Sequence, residues 1–238
     1  MNLLLYGAPG SGKGTQADML RSRFGIPHIA TGDMLRAEIT AGSELGRRVQ
    51  PILAVGGYVP DPIMIGIVQN RLQQPDCARG FIIDGFPRTV PQAEALDELM
   101  RKLGRRFDRV LYLKVETEEL LRRLSGRLVC PACQRTYPPG KQKCPVDSTS
   151  LVQREDDKRE AVKPRIEIYL EKTIPVLDYY GREGLVSEID GRGTIEEISQ
   201  KVMAALPLSP PLKGRSAGPA ERSRPGAGVK QPPAARKE

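Results

Sequence analysis

Gly7-Ala8-Pro9-Gly10-Ser11-Gly12-Lys13-Gly14-Thr15 follows a short apolar run and opens a stretch of helical period. Such glycines let backbone N–H groups converge on phosphate oxygens without Cβ clashes. A helix N-terminus behind them adds its positive dipole end. Gly10, Ser11, Gly12, Lys13, Gly14 and Thr15 are the candidate contacts, with Lys13 as a mobile cation for the outer phosphates. The strict pattern puts Ser or Thr directly after the lysine. Here Gly14 intervenes and the hydroxyl arrives at Thr15. The bland alternative, a glycine-rich turn with a surface lysine, does not account for the order strand, loop, helix.

A second chemistry lies in the cysteines. Cys130-x2-Cys133 and Cys144-x2-Asp147 form two knuckles separated by ten residues, while Cys77 stands alone. Clustered thiols in a chain without a secretion-signal layout read as metal ligands before disulfides. Tetrahedral zinc takes four such ligands. The competing reading is a set of reduced thiols in a metal-free loop.

These groups need a scaffold. Asn2–Tyr6 is an apolar run that stops at glycine and predicts a buried strand. Ala17, Leu20 and Phe24 then fall at helical spacing. Apolar runs recur at 80–83, 110–115 and 185–189, with a weaker candidate at 26–30 and helical segments between. Strands alternating with helices predict an α/β fold with a parallel sheet covered on both faces. Two segments break the alternation: 31–59 reads as small and helical between strand candidates, and 126–162, rich in Cys, Pro, Lys and Asp, reads as an insertion.

The stretch Gly7–Gln16 resembles the phosphate loop of nucleoside monophosphate kinases. Three more narrow the resemblance to the adenylate kinases: Thr31-Gly32-Asp33-Met34-Leu35-Arg36; Asp84-Gly85-Phe86-Pro87-Arg88-Thr89 with Gln92; and Arg154-Glu155-Asp156-Asp157 with Arg165. The match is collinear over 1–206. It implies a three-layer P-loop NTPase-type fold with a five-stranded parallel sheet, a core (1–29, 60–125, 163–206), a helical AMP-binding segment at 30–59 and a zinc-type lid at 126–162. The implied reaction is ATP + AMP giving two ADP, with Mg²⁺ on the ATP phosphates and Asp84 as its anchor through water.

By the same resemblance, Arg36 and Arg88 hold the AMP phosphate, and Arg123, Arg127, Arg154 and Arg165 close over the transferring group beside Lys13. Arginine suits this work because its planar fork meets phosphate oxygens in bidentate fashion and keeps its charge when dehydrated. Thr31, Gln92 and the stretches Gly57-Tyr58-Val59 and Gly85-Phe86-Pro87 complete the AMP pocket. Thr31 reads equally as a helix N-cap. Thr136 and Tyr137 line the ATP ribose side, and Gly193, within 191–194, passes near the ATP adenine. Cys130, Cys133, Cys144 and Asp147 match the lid version in which aspartate is the fourth zinc ligand, with a shorter spacer than is usual there. Pro164 directly before Arg165 predicts a helix that starts later or kinks. The sole histidine, His28, reads as a packed or capping residue. The attacking phosphate of AMP is already an anion, so no general base is needed.

The chain of 238 residues carries a formal charge of +8. Pro207–Glu238 holds seven basic and two acidic residues, a net +5, which leaves +3 for 1–206. That tail of Pro, Gly, Ala, Ser and Arg cannot bury enough apolar surface to offset its ordering entropy and reads as disordered. No apolar run approaches the roughly 18 residues of a membrane span and no signal-peptide layout is present, so a cytoplasmic protein is expected; the resemblance implies a monomer with ATP, AMP and ADP as partners. One rival is a kinase for UMP or CMP, against which Thr31 and Gln92 argue. The other is a zinc-ribbon module whose basic tail engages nucleic acid. It leaves the phosphate loop unexplained and lacks interleaved aromatics for base stacking.

Overall fold

A computed structural model describes residues 1–207 except Gln134 and Pro138, and of Arg159 the backbone alone. The expected disorder of the basic tail therefore lies outside the described residues, save for Pro207. Five parallel strands form the central sheet: β1 (Asn2–Tyr6), β2 (His28–Ala30), β3 (Phe81–Asp84), β4 (Arg109–Lys114) and, after a short β5 and β6 elsewhere, β7 (Val186–Asp190). Their order is β2-β3-β1-β4-β7.

Alternation along each strand sends side chains to two cores. Leu4, Ile83 and Val110 point to one, Leu3, Leu5, Ile82 and Leu111 to the other, all at most 2% exposed. The first core is covered by α4 (Asp61–Leu72), α5 (Val90–Lys102) and α8 (Ile174–Gly181). The second is covered by α1 (Lys13–Phe24), through Ala17 and Leu20, and by α9 (Ile195–Ala205), through Ile198 and Val202. This is the expected three-layer arrangement with both faces of a parallel sheet buried.

All five strands end on the same side, so the loops after them gather at one edge. The register Leu5↔Asp84, Ala30↔Asp84 and Lys114↔Asp190 aligns those ends. The chain leaves β1 for one half of the sheet and returns for β4 on its other side, which puts a crevice at the carboxyl end of β1.

Over that edge lie two further units. Helices α2 (Thr31–Thr40) and α3 (Glu44–Ala54) fill the segment between β2 and α4. After α6 (Thr117–Ser125) comes a small unit whose regular pairing is β5 (Leu128–Val129) against β6 (Thr136–Tyr137), with bridges Val129↔Val152 and Lys143↔Ser150. The chain then re-enters through α7 (Arg159–Ile168) and a π-helical turn at Tyr169–Thr173.

The later start expected at Pro164 is overturned: α7 begins at Arg159 and runs through the proline. Pro164 removes one backbone bond, to the Glu160 carbonyl. Val162 and Ile166 pack with Ala8, Leu120 and Leu124, and that burial offsets the loss. Among the described residues no helix is long and apolar enough to cross a membrane.

Candidate active site

The phosphate loop is fixed at both ends. Tyr6 closes β1 and its hydroxyl donates to the Pro87 carbonyl at 2.8 Å, tying the loop to the turn after β3. Gly12 caps α1 at φ 94°, a left-handed conformation that favours glycine, and the space where a Cβ would project is empty. That leaves the helix N-terminus open to an anion. Lys13 Nζ donates to the carbonyls of Gly7 at 2.7 Å and Ala8 at 3.0 Å. Burial lowers its pKa to about 8, against the pull of Asp84 and with Arg88, Arg127 and Arg165 pushing the same way. An incoming phosphate would relieve that crowding.

Lys13, Arg36, Arg88, Arg123, Arg127, Arg154 and Arg165 all line one cleft of about 2220 Å³. The cleft also includes Gly10 to Thr15, Asp84 to Pro87, Thr136, Tyr137 and Gly193. A smaller cavity adjoins it, lined by Gly57, Tyr58, Val59 and Gln92, and shares Arg36, Arg88 and Arg165 with the cleft. Of the residues expected on the AMP side, Gly85 to Pro87 and Arg154 line the large cleft with the ATP-side residues, Gly57, Val59 and Gln92 line the small cavity, and Arg36, Tyr58, Arg88 and Arg165 line both. Thr31 lines neither space.

The arginines are held by carboxylates and carbonyls. Arg127 makes a two-pronged contact with Asp157, Nε at 2.7 Å and Nη2 at 2.5 Å, and the Asp157 side chain is wholly buried. Arg165 Nη1 reaches Asp156 Oδ2 at 2.9 Å and Asp157 Oδ1 at 3.0 Å, so α7 does deliver it to the site. Arg36 pairs with Asp33, and Arg154 Nη2 lies 3.5 Å from the same carboxylate. Burial, with Arg36 and Arg127 nearby, lowers the Arg154 pKa to about 10. Arg88 donates from Nε to the Gly85 carbonyl at 2.7 Å and stacks 4.8 Å above the Tyr58 ring. Arg123 is placed by Glu119 at 2.7 Å and by the Gly191 carbonyl at 3.1 Å.

Thr31 is not the N-cap. That position belongs to Ala30, and the Thr31 hydroxyl donates instead to the Gly85 carbonyl at 3.0 Å. The parallel pairing of β2 with β3 brings the two turns together, so the hydroxyl donates to a tertiary carbonyl and does not accept from a local N–H. His28 also differs from expectation. Its Nδ1 lies 3.5 Å from Asp18 Oδ1 and its Nε2 3.5 Å from Asp84 Oδ2. Burial opposes its charge, yet the two carboxylates outweigh burial and raise its pKa to about 9. Burial likewise opposes ionisation of Asp84, but His28 and Lys13 hold its pKa below the usual carboxylate range. A half-buried, ionised carboxylate at the end of β3 fits the outer shell of a hydrated Mg²⁺.

In the lid, the donor atoms of Cys130, Cys133, Cys144 and Asp147 all lie within 4.8 Å of one another. Thiolates about 2.3 Å from a tetrahedral zinc stand about 3.8 Å apart, and Cys133 Sγ and Cys144 Sγ are separated by 3.6 Å. Asp147 is thus in reach despite the shortened spacer, its Oδ2 at 3.3 Å from Cys130 Sγ. The surrounding donors suit anionic ligands: Cys133 N–H to Cys130 Sγ and Val146 N–H to Cys144 Sγ at 3.4 Å, and Thr149 N–H to Asp147 Oδ1 at 3.0 Å. The Tyr137 hydroxyl lies 3.2 Å from Cys144 Sγ, linking the thiol cluster to the cleft lining.

The sequence model of the family described as adenylate kinase matches residues 5–185. The chain belongs to the adenylate kinase family. It is 49% identical over 212 residues to an adenylate kinase of Trichlorobacter lovleyi, covering 87% of this chain and 99% of that protein. An adenylate kinase of Kosmotoga olearia is 45% identical and one of Methanosarcina barkeri 44%, each over 87% of this chain and 99% and 98% of theirs. A P-loop phosphotransferase fold with a crevice at the end of β1 is what this family membership requires. Residues that motif reading did not single out are Asp18, Asp61, Glu119 and the pairing role of Asp33, Asp156 and Asp157. The pairs Asp33–Arg36 and Glu119–Arg123 have helical i,i+3 and i,i+4 spacing, whereas the His28 partner of Asp18 and the partners of Asp61, Asp156 and Asp157 lie on other elements, where no local spacing marks them.

Proposed function

We propose that the chain catalyses Mg²⁺-dependent, reversible phosphoryl transfer from ATP to AMP, giving two ADP, as a monomer of the cytoplasm serving adenine nucleotide balance. The observation that carries this reading is one cleft of about 2220 Å³ in which the phosphate loop faces Arg36, Arg88, Arg123, Arg127, Arg154 and Arg165. Its volume exceeds that of one nucleotide, and Arg36, Arg88 and Arg165 also line the small cavity that carries Gln92.

Phosphoryl transfer asks mainly for alignment and charge compensation. The backbone of Gly10 to Thr15 and Lys13 cradle the ATP phosphates, with Thr136, Tyr137 and Gly193 along its nucleoside. Arg36 and Arg88 bind the AMP phosphate, which needs no base because it is already an anion. Thr31, Gly57 to Val59, Gly85 to Pro87 and Gln92 receive the AMP nucleoside. Arg123, Arg127, Arg154 and Arg165 surround the transferring group, exchanging their carboxylate partners for phosphate oxygens. Magnesium, bound through water at Asp84, offsets phosphate charge. Zinc at Cys130, Cys133, Cys144 and Asp147 acts structurally, since a lid this small has no core of its own. Closure of the lid (126–162) and of the AMP segment (30–59) over the core excludes water.

The test is a coupled assay with ATP and each of AMP, UMP, CMP and GMP, beside Lys13→Ala. ADP formation strongest with AMP and abolished in the variant is the expected result. A preference for UMP or CMP would overturn the acceptor assignment, and no transfer to any monophosphate would overturn the reading altogether.

A further inference from the structure

Asp61 opens α4, directly after the loop that carries Gly57 to Val59. Its two carboxylate oxygens are both engaged. Oδ1 accepts from Gln92 Nε2 at 2.6 Å, and Oδ2 accepts from the Thr89 hydroxyl at 2.9 Å. On its other side, Gln92 Oε1 accepts from the Arg88 backbone N–H at 2.8 Å. Gln92 is 1% exposed and lines the smaller cavity.

A glutamine amide has two donors on nitrogen and two lone pairs on oxygen, and it can normally flip to exchange them. Here it cannot flip without penalty. An ionised carboxylate only accepts and a backbone N–H only donates, so Asp61 and Arg88 together define which end is nitrogen. One donor and one lone pair remain for a ligand, in a fixed order. Adenine presents an amino donor where guanine and hypoxanthine present a carbonyl acceptor. A freely flipping glutamine would serve either edge; a locked one serves one.

We propose that Asp61 is a positioning and specificity-determining residue: by locking the Gln92 amide it makes the monophosphate pocket select a 6-amino over a 6-oxo purine. This rests on the reading of Gln92 as the base contact of AMP. The Thr89 bond strengthens the lock, because Thr89 also caps α5 by accepting from the Gln92 N–H at 3.3 Å. Carboxylate, cap and amide thus form one closed circuit between the starts of α4 and α5.

The test compares AMP with IMP as acceptors. IMP differs at the 6-position and N1 and lacks the 2-amino group of GMP, which would add its own steric effect. Asp61→Asn keeps the shape but offers both a donor and an acceptor, so the carboxylate half of the lock is lost and only the Arg88 N–H still opposes a flip of the Gln92 amide. The AMP/IMP ratio of kcat/KM is expected to fall about tenfold, through a higher KM for AMP and a lower one for IMP. The KM for ATP stays unchanged, which a merely structural defect would not ensure. Gln92→Ala separates the two layers of the argument. An unchanged ratio in Gln92→Ala means that the glutamine does not read the base, and both readings fall. A ratio that collapses in Gln92→Ala but persists in Asp61→Asn overturns the role of Asp61 alone. A second measurement needs no Asp61 variant: in the AMP complex of the wild-type protein, both Gln92 side-chain amide protons should resist exchange. Rapid exchange of both would overturn the lock.

Discussion

The phosphate loop and the lid face the same cleft, yet they are held by opposite means. The loop hangs between β1 and α1, with Leu3, Leu4, Leu5, Ala17 and Leu20 at most 2% exposed beneath it. Burial of that apolar surface fixes it before any ligand arrives. The lid between Leu128 and Val152 has two short strands, two bridges and exposed Val146 and Val152. Its organising centre is a knot of three thiols and a carboxylate. The cleft therefore has a rigid floor and a roof gathered around four groups that could hold a metal ion. Such a roof can move as a unit, which suits a part that must open to exchange nucleotides.

Removing the metal should break the comparison most severely. Zinc contributes apparent free energies on the order of 10 kcal/mol in comparably small units. Chelation, or Cys130→Ser, is expected to make the segment 128–152 susceptible to limited proteolysis while the core keeps its melting transition. Transfer activity should fall, with nucleotide binding at the phosphate loop retained. A lid that stays resistant without metal would show that the cysteines are not its organising centre.

The next effect belongs to the floor. Leu4 lies wholly buried in the central strand. Leu4→Ala should cost about 2–5 kcal/mol of global stability, read as a lower denaturant midpoint, and leave lid proteolysis in zinc-loaded protein unaltered. A variant that loosens the lid as much as the core would merge the two regions into one.

The smallest effect sharpens how the floor is charged. His28 sits between Asp18 and Asp84, with a folded pKa of about 9 against an ordinary value of 6.5. A raised histidine pKa stabilises fully below the unfolded value and ceases to do so as pH rises through the folded one. His28→Gln, unfolded without nucleotide, should therefore be less stable than the parent at pH 6 by on the order of 1–2 kcal/mol. The deficit should shrink above pH 6.5 and vanish beyond about pH 9. A deficit independent of pH would mean that the ring packs and does not pair.

Much of this was legible from residue order. Gly7 to Thr15 and the two knuckles announce themselves because their geometry is local: turn, helix start and ligand spacing are fixed within a few residues; Asp84 to Arg88 was legible only through its resemblance to the family. The sheet was legible for a similar reason, since strands buried on both faces read as unbroken apolar runs. What depends on distant partners was not. Thr31 looks like a cap until β2 pairs with β3 and supplies the Gly85 carbonyl. His28 looks like packing until two carboxylates meet it from α1 and β3. Asp61 carries no motif at all, and its role emerges only where the starts of α4 and α5 converge. Of the two outcomes expected at Pro164, the later helix start is the one the structure overturns, since α7 already begins at Arg159 and its neighbours Val162 and Ile166 are buried.

The most direct measurement follows the transferred group itself. ATP labelled at the γ-phosphate would be incubated with AMP, Mg²⁺ and the zinc-loaded protein, and the products separated. The label should appear as the β-phosphate of ADP, with little inorganic phosphate and none of this in Lys13→Ala. Label released mainly as inorganic phosphate, or left on ATP in the presence of AMP, would contradict a closed two-nucleotide site.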